Sequence, residues 1–350
     1  MTPAVTLART VTSLTRLCRG ARIAAMATLL AATALHGAPA PAVEPFTFAA
    51  VGCMPYARHQ GSTAAFARVI AEINRRTPAF TVHLGDILGS DERCTDELLL
   101  RRRAEFDSFE SALVYTPGDN EWTDTHSEKA GRFNPLERLA RIRALFFSEE
   151  RSRGRRPLPL VTQRRDPAHR SFVENARWTI GGVMFATVHV VGSHNNHQTV
   201  VPGAIEEWRM RDAADAAWVK QVFTAAREGS APGVALFFQA DPFAADRGRP
   251  DYDAGFVTFL RTVESEARAF GRPVLLVHAD EHRYRLEPSM RFTAEGEPVA
   301  NVTRLETFGA QNFHGVMVVV DPASAPVFAA GPLIVPGNPL PQLPRAKNRP

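Results

Sequence analysis

The sequence has 350 residues, of which 45% are hydrophobic and 22% are charged. This length and composition allow one or two domains with a substantial core, and they exclude whole-chain disorder, collagen and coiled coil. The formal net charge is +4, but the four arginines that precede Glu44 account for it, and the rest of the chain carries 37 basic and 37 acidic residues. A neutral chain gives no electrostatic reason to expect specific nucleic-acid binding.

The N-terminal segment has the order of a secretory signal peptide. Arginines precede an apolar run of 13 residues, Ile23–Leu35, which is too short to span a bilayer as a helix. Small residues follow, and Ala40-Pro41-Ala42 supplies a cleavage signal. We therefore expect residues 1–42 to be removed and the mature protein to begin at Val43, in the periplasm or outside the cell, with an uncleaved anchor as the alternative. No later apolar run is long enough for a membrane span, so we expect no membrane contact after cleavage.

After Val43, short apolar strands alternate with amphipathic helices, and the first elements form a β-α-β-α-β unit. Ser62 is predicted to cap the first helix, which ends before Pro78. This order of elements favours parallel strands. The unit is predicted to contain strands at Phe46–Gly52, Phe80–Leu84 and Leu113–Thr116 and a second helix at Asp96–Phe106. Asn134 and Pro135 then predict the start of a helix that runs to Phe147.

Residues 151–170 interrupt the alternation with seven arginines, three prolines and a single acid, Asp166. This composition predicts a solvated loop, with an anionic-ligand site as the alternative. Trp178–Val191 predicts a β-hairpin around Gly181-Gly182. Later helices are predicted at Asp212–Arg227 and Asp253–Phe270, and strands at Gly233–Phe238, Val274–Val277, Tyr284–Leu286, Asn301–Phe308, Val316–Val320 and Val327–Ala330. We therefore predict one domain over residues 43–335 and a proline-rich tail over residues 336–350.

Polar residues follow the carboxyl ends of five predicted strands. In open α/β sheets the ligand crevice lies outside these ends, so we expect the residues to converge. A Gly-Asp pair after one strand is most often a turn, but five such strand ends in succession favour a functional site. The five strand ends are Gly52-Cys53-Met54-Pro55-Tyr56, Gly85-Asp86, Gly118-Asp119-Asn120-Glu121, Gln239-Ala240-Asp241-Pro242 and His278-Ala279-Asp280-Glu281-His282.

The order and placement of these motifs resemble the calcineurin-like metallophosphoesterases, and in particular a divergent secreted branch of that family. Residues Pro117–Asp124 read PGDNEWTD, the motif of that branch, and the resemblance extends over Phe46–Asp321. It implies an α/β fold in which a β-sandwich of two mixed sheets is flanked by helices. It also implies one or two bound divalent metal ions, with Mn, Mg, Ca, Zn and Fe all open. The implied reaction is hydrolysis of a phosphorylated small molecule or a phosphodiester by metal-activated water.

The resemblance also implies roles for individual residues. Asp86 matches the carboxylate that bridges both metals, and His282 matches the last histidine of the G-H-x-H motif. Asp280 replaces the first histidine of that motif, and Asp119 stands where the family has asparagine. Asn120 replaces the histidine that helps to protonate the leaving group. Asp86, Asn120 and His282 are therefore the candidate catalytic residues, and Asp86, Asp119, Asp280 and His282 are candidate metal ligands.

Several ligands of the family are absent from this sequence. Pro55 removes the histidine of the first motif, and the lone-histidine position falls at Gln239 or its neighbour, where only Gln239 offers a weak carbonyl oxygen. Another histidine, such as His194 or His278, would have to supply an acid. The sequence therefore predicts a hydrolase with a degenerate metal site. The alternative is a catalytically inactive binding or structural protein built on the same fold.

Cys53 stands at the position of the family's first aspartate and has two interpretations. Its thiolate could be a further metal ligand, since thiolates bind zinc well. In an oxidising compartment it could instead form a disulfide with Cys94, the only other cysteine after Val43. In the branch that the sequence resembles, the partner of Cys94 follows the W-T-D motif, where this chain has Thr125. This departure favours the disulfide.

Overall fold

The computed structural model describes residues 44–243, 252–293 and 296–341. The expected signal peptide over residues 1–42 lies outside this part of the chain, as do residues 342–350 of the proline-rich tail. Two β-sheets face each other, and helices cover the outer face of each sheet. None of the helices in the described residues combines the length and the apolarity that crossing a membrane requires.

The described residues contain 12 strands. In chain order they are β1 (Phe46–Val51), β2 (Phe80–His83), β3 (Ala112–Tyr115), β4 (Val161–Thr162), β5 (Ala176–Ile180), β6 (Val183–Thr187), β7 (Val234–Phe237), β8 (Val274–His278), β9 (Arg285–Met290), β10 (Val299–Glu306), β11 (Gly315–Val320) and β12 (Phe328–Leu333). The strand order is β12-β11-β1-β2-β3 in the first sheet and β4-β5-β6-β7-β8-β10-β9 in the second. Both sheets are mixed, as the resemblance implies.

The parallel core of each sheet aligns the strand ends that carry polar residues. In the first sheet β1, β2 and β3 are parallel, with Phe48 opposite Phe80 and Phe80 opposite Ala112, which confirms the predicted β-α-β-α-β unit. In the second sheet β6, β7, β8 and β10 are parallel. The predicted hairpin joins β5 to β6 through Gly181 and Gly182, whose φ angles of 59° and 80° suit glycine.

Five helices of 12 or more residues flank the sheets within the described residues: α1 (Ser62–Arg76), α2 (Asp96–Asp107), α3 (Pro135–Phe146), α4 (Ala204–Glu228) and α5 (Val257–Phe270). Asn134 caps α3 as predicted, because its Oδ1 accepts from the N–H of Leu136 at 2.9 Å. The residue before α1 is Gly61 in a left-handed conformation, so the predicted cap at Ser62 is wrong.

Helix α4 begins eight residues before the predicted start at Asp212. Its first two turns are rich in charged residues, so they lack the apolar period that predicts a helix. The buried face of these turns carries an ion pair, in which Arg211 Nε lies 2.7 Å from Glu207 Oε1. Arg211 is fully buried and also donates to the backbone oxygens of His189 and Asn195. Polar contacts therefore attach this part of α4 to the loop after β6.

The space between the sheets is filled by aromatic side chains. Phe48 stacks on Phe80 with ring centroids 5.0 Å apart, and Phe80 meets Phe185 edge to face at 4.9 Å. Trp178 and Phe237 stack beside them at 5.8 Å. Buried rings of this size each contribute about 3–5 kcal/mol relative to alanine, so this layer fixes the distance between the sheets.

Residues 151–170 are mostly irregular and at least partly exposed to solvent, as their composition predicts, but they also include the short strand β4. Arg153 forms two backbone hydrogen bonds with Leu113 of β3, and β4 joins the second sheet. Several arginines of the segment pair with carboxylates, including Arg165 with Glu150 at 3.0 Å. These ion pairs neutralise the arginines that form them, which argues against an anionic-ligand site in this segment.

Candidate metal centre

The polar strand ends meet at one place in the fold. Ligand atoms of Cys53, Asp86 and His282 lie within 4.8 Å of one another, and so do those of Asp86, Asp119 and Asp280. We refer to these five residues as the strand-end cluster. Asp86 belongs to both groups and therefore lies at the centre of the cluster. The convergence expected from the sequence is present, and it includes all five candidate ligands.

Four residues of the strand-end cluster have left-handed backbones. The φ angles are 52° for Cys53, 56° for Asp86, 82° for Asp280 and 62° for His282. A non-glycine residue in this region costs of order 1–3 kcal/mol, and such residues gather at functional sites because the surrounding structure holds them there. Here the Cys53 N–H donates to the Gly85 oxygen at 3.0 Å, and the Asp280 N–H lies 3.3 Å from Cys53 Sγ. The loops therefore hold one another in these conformations.

Glycines allow the carboxylates to approach the neighbouring backbone. A Cβ placed on Gly118 would overlap Asp86 Oδ1, and a Cβ on Gly192 would lie 2.5 Å from Asp119 Oδ2. Contacts of this length are far inside van der Waals distance. The glycine that follows β3 and the glycine in the loop after β6 are thus required for the two carboxylates to face each other.

Hydrogen bonds converge on the Asp86 carboxylate. Its Oδ2 accepts from the Tyr56 hydroxyl at 2.9 Å and from Gln239 Nε2 at 3.3 Å, and the Cys53 thiol lies 3.4 Å away. Its Oδ1 accepts from the backbone N–H of Asn120 at 3.3 Å. Donors on three different strand ends therefore orient this carboxylate.

Tyr56 belongs to the site although the sequence analysis did not single it out. Its hydroxyl lies between Asp86 and His282, 3.4 Å from His282 Nε2, and it accepts from Asn120 Nδ2 at 3.2 Å. Asn120, one of the three candidate catalytic residues, thus donates a hydrogen bond to the Tyr56 hydroxyl. Its signal in the sequence is that Tyr56 ends the strand-end motif that carries Cys53.

Glu121 is a second missed residue, and it ties two loops together. Its Oε1 accepts from the Tyr115 hydroxyl and the Gly118 N–H, both at 2.7 Å, and from the Asp86 N–H at 3.2 Å. The side chain is fully buried. Glu121 therefore positions the loop of Asp86 against the loop of Asp119, without a ligand atom in the strand-end cluster.

The strand-end cluster brings carboxyl groups together, and in the described part of the chain two of them have no basic side chain that would neutralise their ionised forms. Burial, followed by the charges of Glu121 and Asp280, raises the pKa of Asp86 to about 8, and burial raises the pKa of Asp119 well above its usual value. Among the described residues, neither Asp86 nor Asp119 pairs with a lysine or an arginine. Asp119 Oδ1 is buried without a hydrogen-bond partner. A bound cation would supply both the missing charge and the missing partner.

The donor atoms suit a divalent metal ion. Carboxylate oxygens bind hard ions, whereas imidazole nitrogen and thiolate sulfur bind borderline ions such as Zn²⁺. Burial lowers the pKa of His282 to about 4, so the imidazole is neutral at pH 7 and has a lone pair to offer. The residues present therefore fit the metal ions that the sequence resemblance implies.

The favoured disulfide between Cys53 and Cys94 is wrong, because both thiols are free and buried in this structure. Cys94 Sγ donates to the backbone oxygen of Glu121 at 3.2 Å, whereas Cys53 Sγ faces Asp86. The two sulfurs therefore have different neighbours. This arrangement leaves the ligand interpretation of Cys53 open.

Gln239 lies beside the strand-end cluster but differs from the expected carbonyl ligand. Its Oε1 accepts from the Gly192 N–H at 2.6 Å, so the amide nitrogen faces Asp86 and also Asp280, 3.4 Å away. His278, one of the two alternative acids, is occupied elsewhere: its Nε2 accepts from Arg304 Nε at 2.8 Å. Gln239 therefore orients carboxylates, and His278 belongs to the interior of the second sheet.

A cavity of about 360 Å³ lies beside the loop that follows Asp119. Its walls are the turn Thr123–His126 and residues 193–200, and they include His194, the other alternative acid. Thr123 Oγ1 donates to the backbone oxygen of Asp119 at 2.9 Å, which connects the cavity wall to the cluster. Apart from Val200, the wall residues of this cavity are polar, and none of them is a lysine or an arginine.

The sequence matches no protein-family model and no curated protein. The fold, in contrast, is similar to solved structures. A dimetal phosphatase from Danio rerio superimposes with a TM-score of 0.52 over 83% of this chain and 100% of that chain, at 12% identity. The structure of PhoD superimposes with a TM-score of 0.54 over 86% of this chain and 69% of that chain, also at 12% identity. The chain has a metallophosphoesterase-type fold. At this identity the likeness establishes the architecture alone.

Proposed function

We propose that this protein is a metal-dependent phosphoesterase of the divergent secreted branch that its motifs resemble. The observation that carries the proposal is the position of Asp86, which belongs to both groups of ligand atoms. Two divalent ions held close together need a shared carboxylate to offset their repulsion. The metallophosphoesterase-type fold supports the proposal, since the ligand groups lie at its strand ends.

Two sets of residues would hold the ions. Cys53, Asp86 and His282 form one set, and Asp86, Asp119 and Asp280 form the other. Divalent ions supply Lewis acidity for a phosphate ester and make a water molecule more acidic. Burial and then the charges of neighbouring acids raise the pKa values of Asp86 and Asp119, and bound cations would offset these effects by favouring the ionised carboxylates.

The surrounding residues position the ligands. Tyr56 and Gln239 donate to Asp86, and the Asn120 side chain donates to the Tyr56 hydroxyl. An amide does not exchange a proton at ordinary pH, so Asn120 acts by holding Tyr56 and Asp86 in place. The leaving group would take its proton from water or from His194 across the cavity.

The organic part of the ester would occupy the cavity beside Asp119. Its walls offer hydroxyl, amide and imidazole groups and one carboxylate, Asp124, whose pKa is raised by burial. Because none of the described residues that line this cavity is a lysine or an arginine, a second phosphate or a carboxylate on the leaving group would be disfavoured. We therefore propose an ester of an uncharged, hydroxyl-bearing alcohol.

Hydrolysis assays test this function. Metal-free wild type should gain activity toward generic phosphomonoesters or phosphodiesters with Mn²⁺, Mg²⁺, Ca²⁺ or Zn²⁺, and chelation should reverse the gain. Asp86→Asn should lower the rate by at least about 100-fold, since it removes the charge of the carboxylate that both ligand groups share. Asp91→Asn, which changes an exposed surface carboxylate, is the matched control and should keep full activity. Metal binding without hydrolysis of any ester would instead support the inactive binding protein.

A further inference from the structure

The two groups of ligand atoms that share Asp86 differ in chemistry. One group offers a sulfur, a nitrogen and an oxygen from Cys53, His282 and Asp86. The other offers only carboxylate oxygens, from Asp86, Asp119 and Asp280. Thiolate and imidazole select borderline ions such as Zn²⁺, whereas carboxylates suit harder ions such as Mg²⁺, Mn²⁺ and Ca²⁺. The same carboxylate would thus bridge two positions with different metal preferences.

We propose that Cys53 is a thiolate ligand of a zinc-class ion, held with Asp86 and His282, and that the all-carboxylate position takes a harder ion. The inference rests on the two ligand groups of the proposed function, and it goes beyond them by assigning a thiolate–metal bond to Cys53 and a different class of metal ion to each group. The thiol proton leaves to solvent as the sulfur–metal bond forms, so binding requires no oxidant or reductant. Cys53 therefore has a role in the metal centre and not in a disulfide.

The structure holds the Cys53 sulfur in place for this role. The side chain is fully buried, its sulfur lies 3.4 Å from Asp86 Oδ2, and the Asp280 N–H lies 3.3 Å from it. A backbone N–H directed at a thiolate stabilises its negative charge. The buried Asp119 Oδ1, which has no hydrogen-bond partner, is an independent sign that the cluster is built around a ligand.

Cys94 provides a matched control within the same chain. It is also free and buried, but its sulfur donates to a backbone oxygen, that of Glu121. Among the described residues, Cys94 belongs to neither group of candidate ligand atoms. Cys53→Ser and Cys94→Ser therefore remove the same atom from two buried sites, only one of which lies in the strand-end cluster.

Cobalt substitution tests the proposal without requiring activity. Reduced, metal-free protein loaded with Co²⁺ should show the intense near-ultraviolet charge-transfer band of a cobalt–thiolate bond. Cys53→Ser should lose the band, and Cys94→Ser should keep it. Bound cobalt without such a band in wild type, or a band that survives in Cys53→Ser, would overturn the proposal. Circular dichroism of each variant establishes that the fold is retained.

Competition for zinc gives the second measurement. Changes to residues that merely support a ligand cost about 10–100-fold in zinc affinity, so Cys53→Ser should weaken Zn²⁺ binding by at least that factor. The affinity for one Mn²⁺ per chain should change much less. Equal losses for both metals would contradict distinct preferences. A thiolate band without hydrolysis of any ester would support the thiolate site and contradict the phosphoesterase, whereas hydrolysis without the band would do the reverse.

Discussion

Replacement of Asp86 by asparagine should make the metal-free protein less sensitive to alkaline pH. Burial and the charges of Glu121 and Asp280 raise the pKa of Asp86 from 3.8 to about 8 in the folded state. The folded protein therefore binds this proton between about pH 4 and pH 8, while the unfolded chain releases it. The stabilising contribution is complete below about pH 4 and is lost as the pH rises toward 8. Asparagine removes the ionisation and keeps the shape.

The size of the effect follows from the same shift. Each pH unit within this window changes the free energy of unfolding by about 1.4 kcal/mol. Between pH 5 and pH 8, ionisation of Asp86 therefore lowers the free energy of unfolding of the wild type by about 4 kcal/mol. For a domain of about 300 residues the unfolding entropy is about 0.6 kcal/mol/K, which converts this into about 7 °C. Buried carboxyls away from the strand-end cluster, such as Glu306 with a pKa raised to about 8, titrate in both proteins and cancel in the difference.

Thermal unfolding in the presence of a chelator measures this difference. The melting temperature of Asp86→Asn minus that of wild type should be larger at pH 8 than at pH 5. Asp91→Asn, at an exposed surface carboxylate, should show no such pH-dependent difference. At pH 8, Mn²⁺ should then raise the melting temperature of wild type and not that of Asp86→Asn. A difference between the two proteins that is the same at both pH values would refute the electrostatic account of the strand-end cluster.

Three further outcomes are expected. Gly118→Ala should abolish the rise in melting temperature that bound metal produces, because the added Cβ would overlap Asp86 Oδ1. A rise equal to that of wild type in a metal titration would show that the loop can relax. Arg211→Leu should cost about 3–5 kcal/mol in urea unfolding because Glu207 loses its buried cation, and a cost under about 1 kcal/mol would contradict a structural role. We also propose export: N-terminal sequencing of the protein from outside the cytoplasm should begin at Val43, whereas an intact cytosolic chain would count against it.

The sheets could be predicted from the sequence because buried strands appear as short apolar runs between turn residues. β1, predicted at Phe46–Gly52, ends one residue earlier, at Val51. The start of α4 could not be predicted in this way, because Glu207 and Arg211 are buried as a pair and interrupt the apolar period. Charged residues that form a buried ion pair give the same sequence pattern as charged residues on a protein surface.

The identity of the strand-end residues was predictable, but their side-chain directions were not. Parallel strands bring Asp86 and Asp119 to one edge of the sheet, and their motifs mark them. Whether Cys53 contacts Cys94 or Asp86 depends on the directions of two buried side chains. The sequence favoured Cys94, and the structure shows both thiols free. Tyr56 was missed because a tyrosine after a strand has no distinctive signal; its role depends on the position of Asn120 from another loop.

The metal content of the purified protein tests the central claim most directly. Wild type reconstituted with Zn²⁺ and Mn²⁺ and then separated from free metal should carry about two divalent ions per chain, as a shared carboxylate between two ligand groups requires. Elemental analysis measures this number together with the identity of each metal. Asp86→Asn should retain no more than one ion. Wild type without bound metal after reconstitution, or Asp86→Asn with the same content as wild type, would contradict a metal centre built around Asp86.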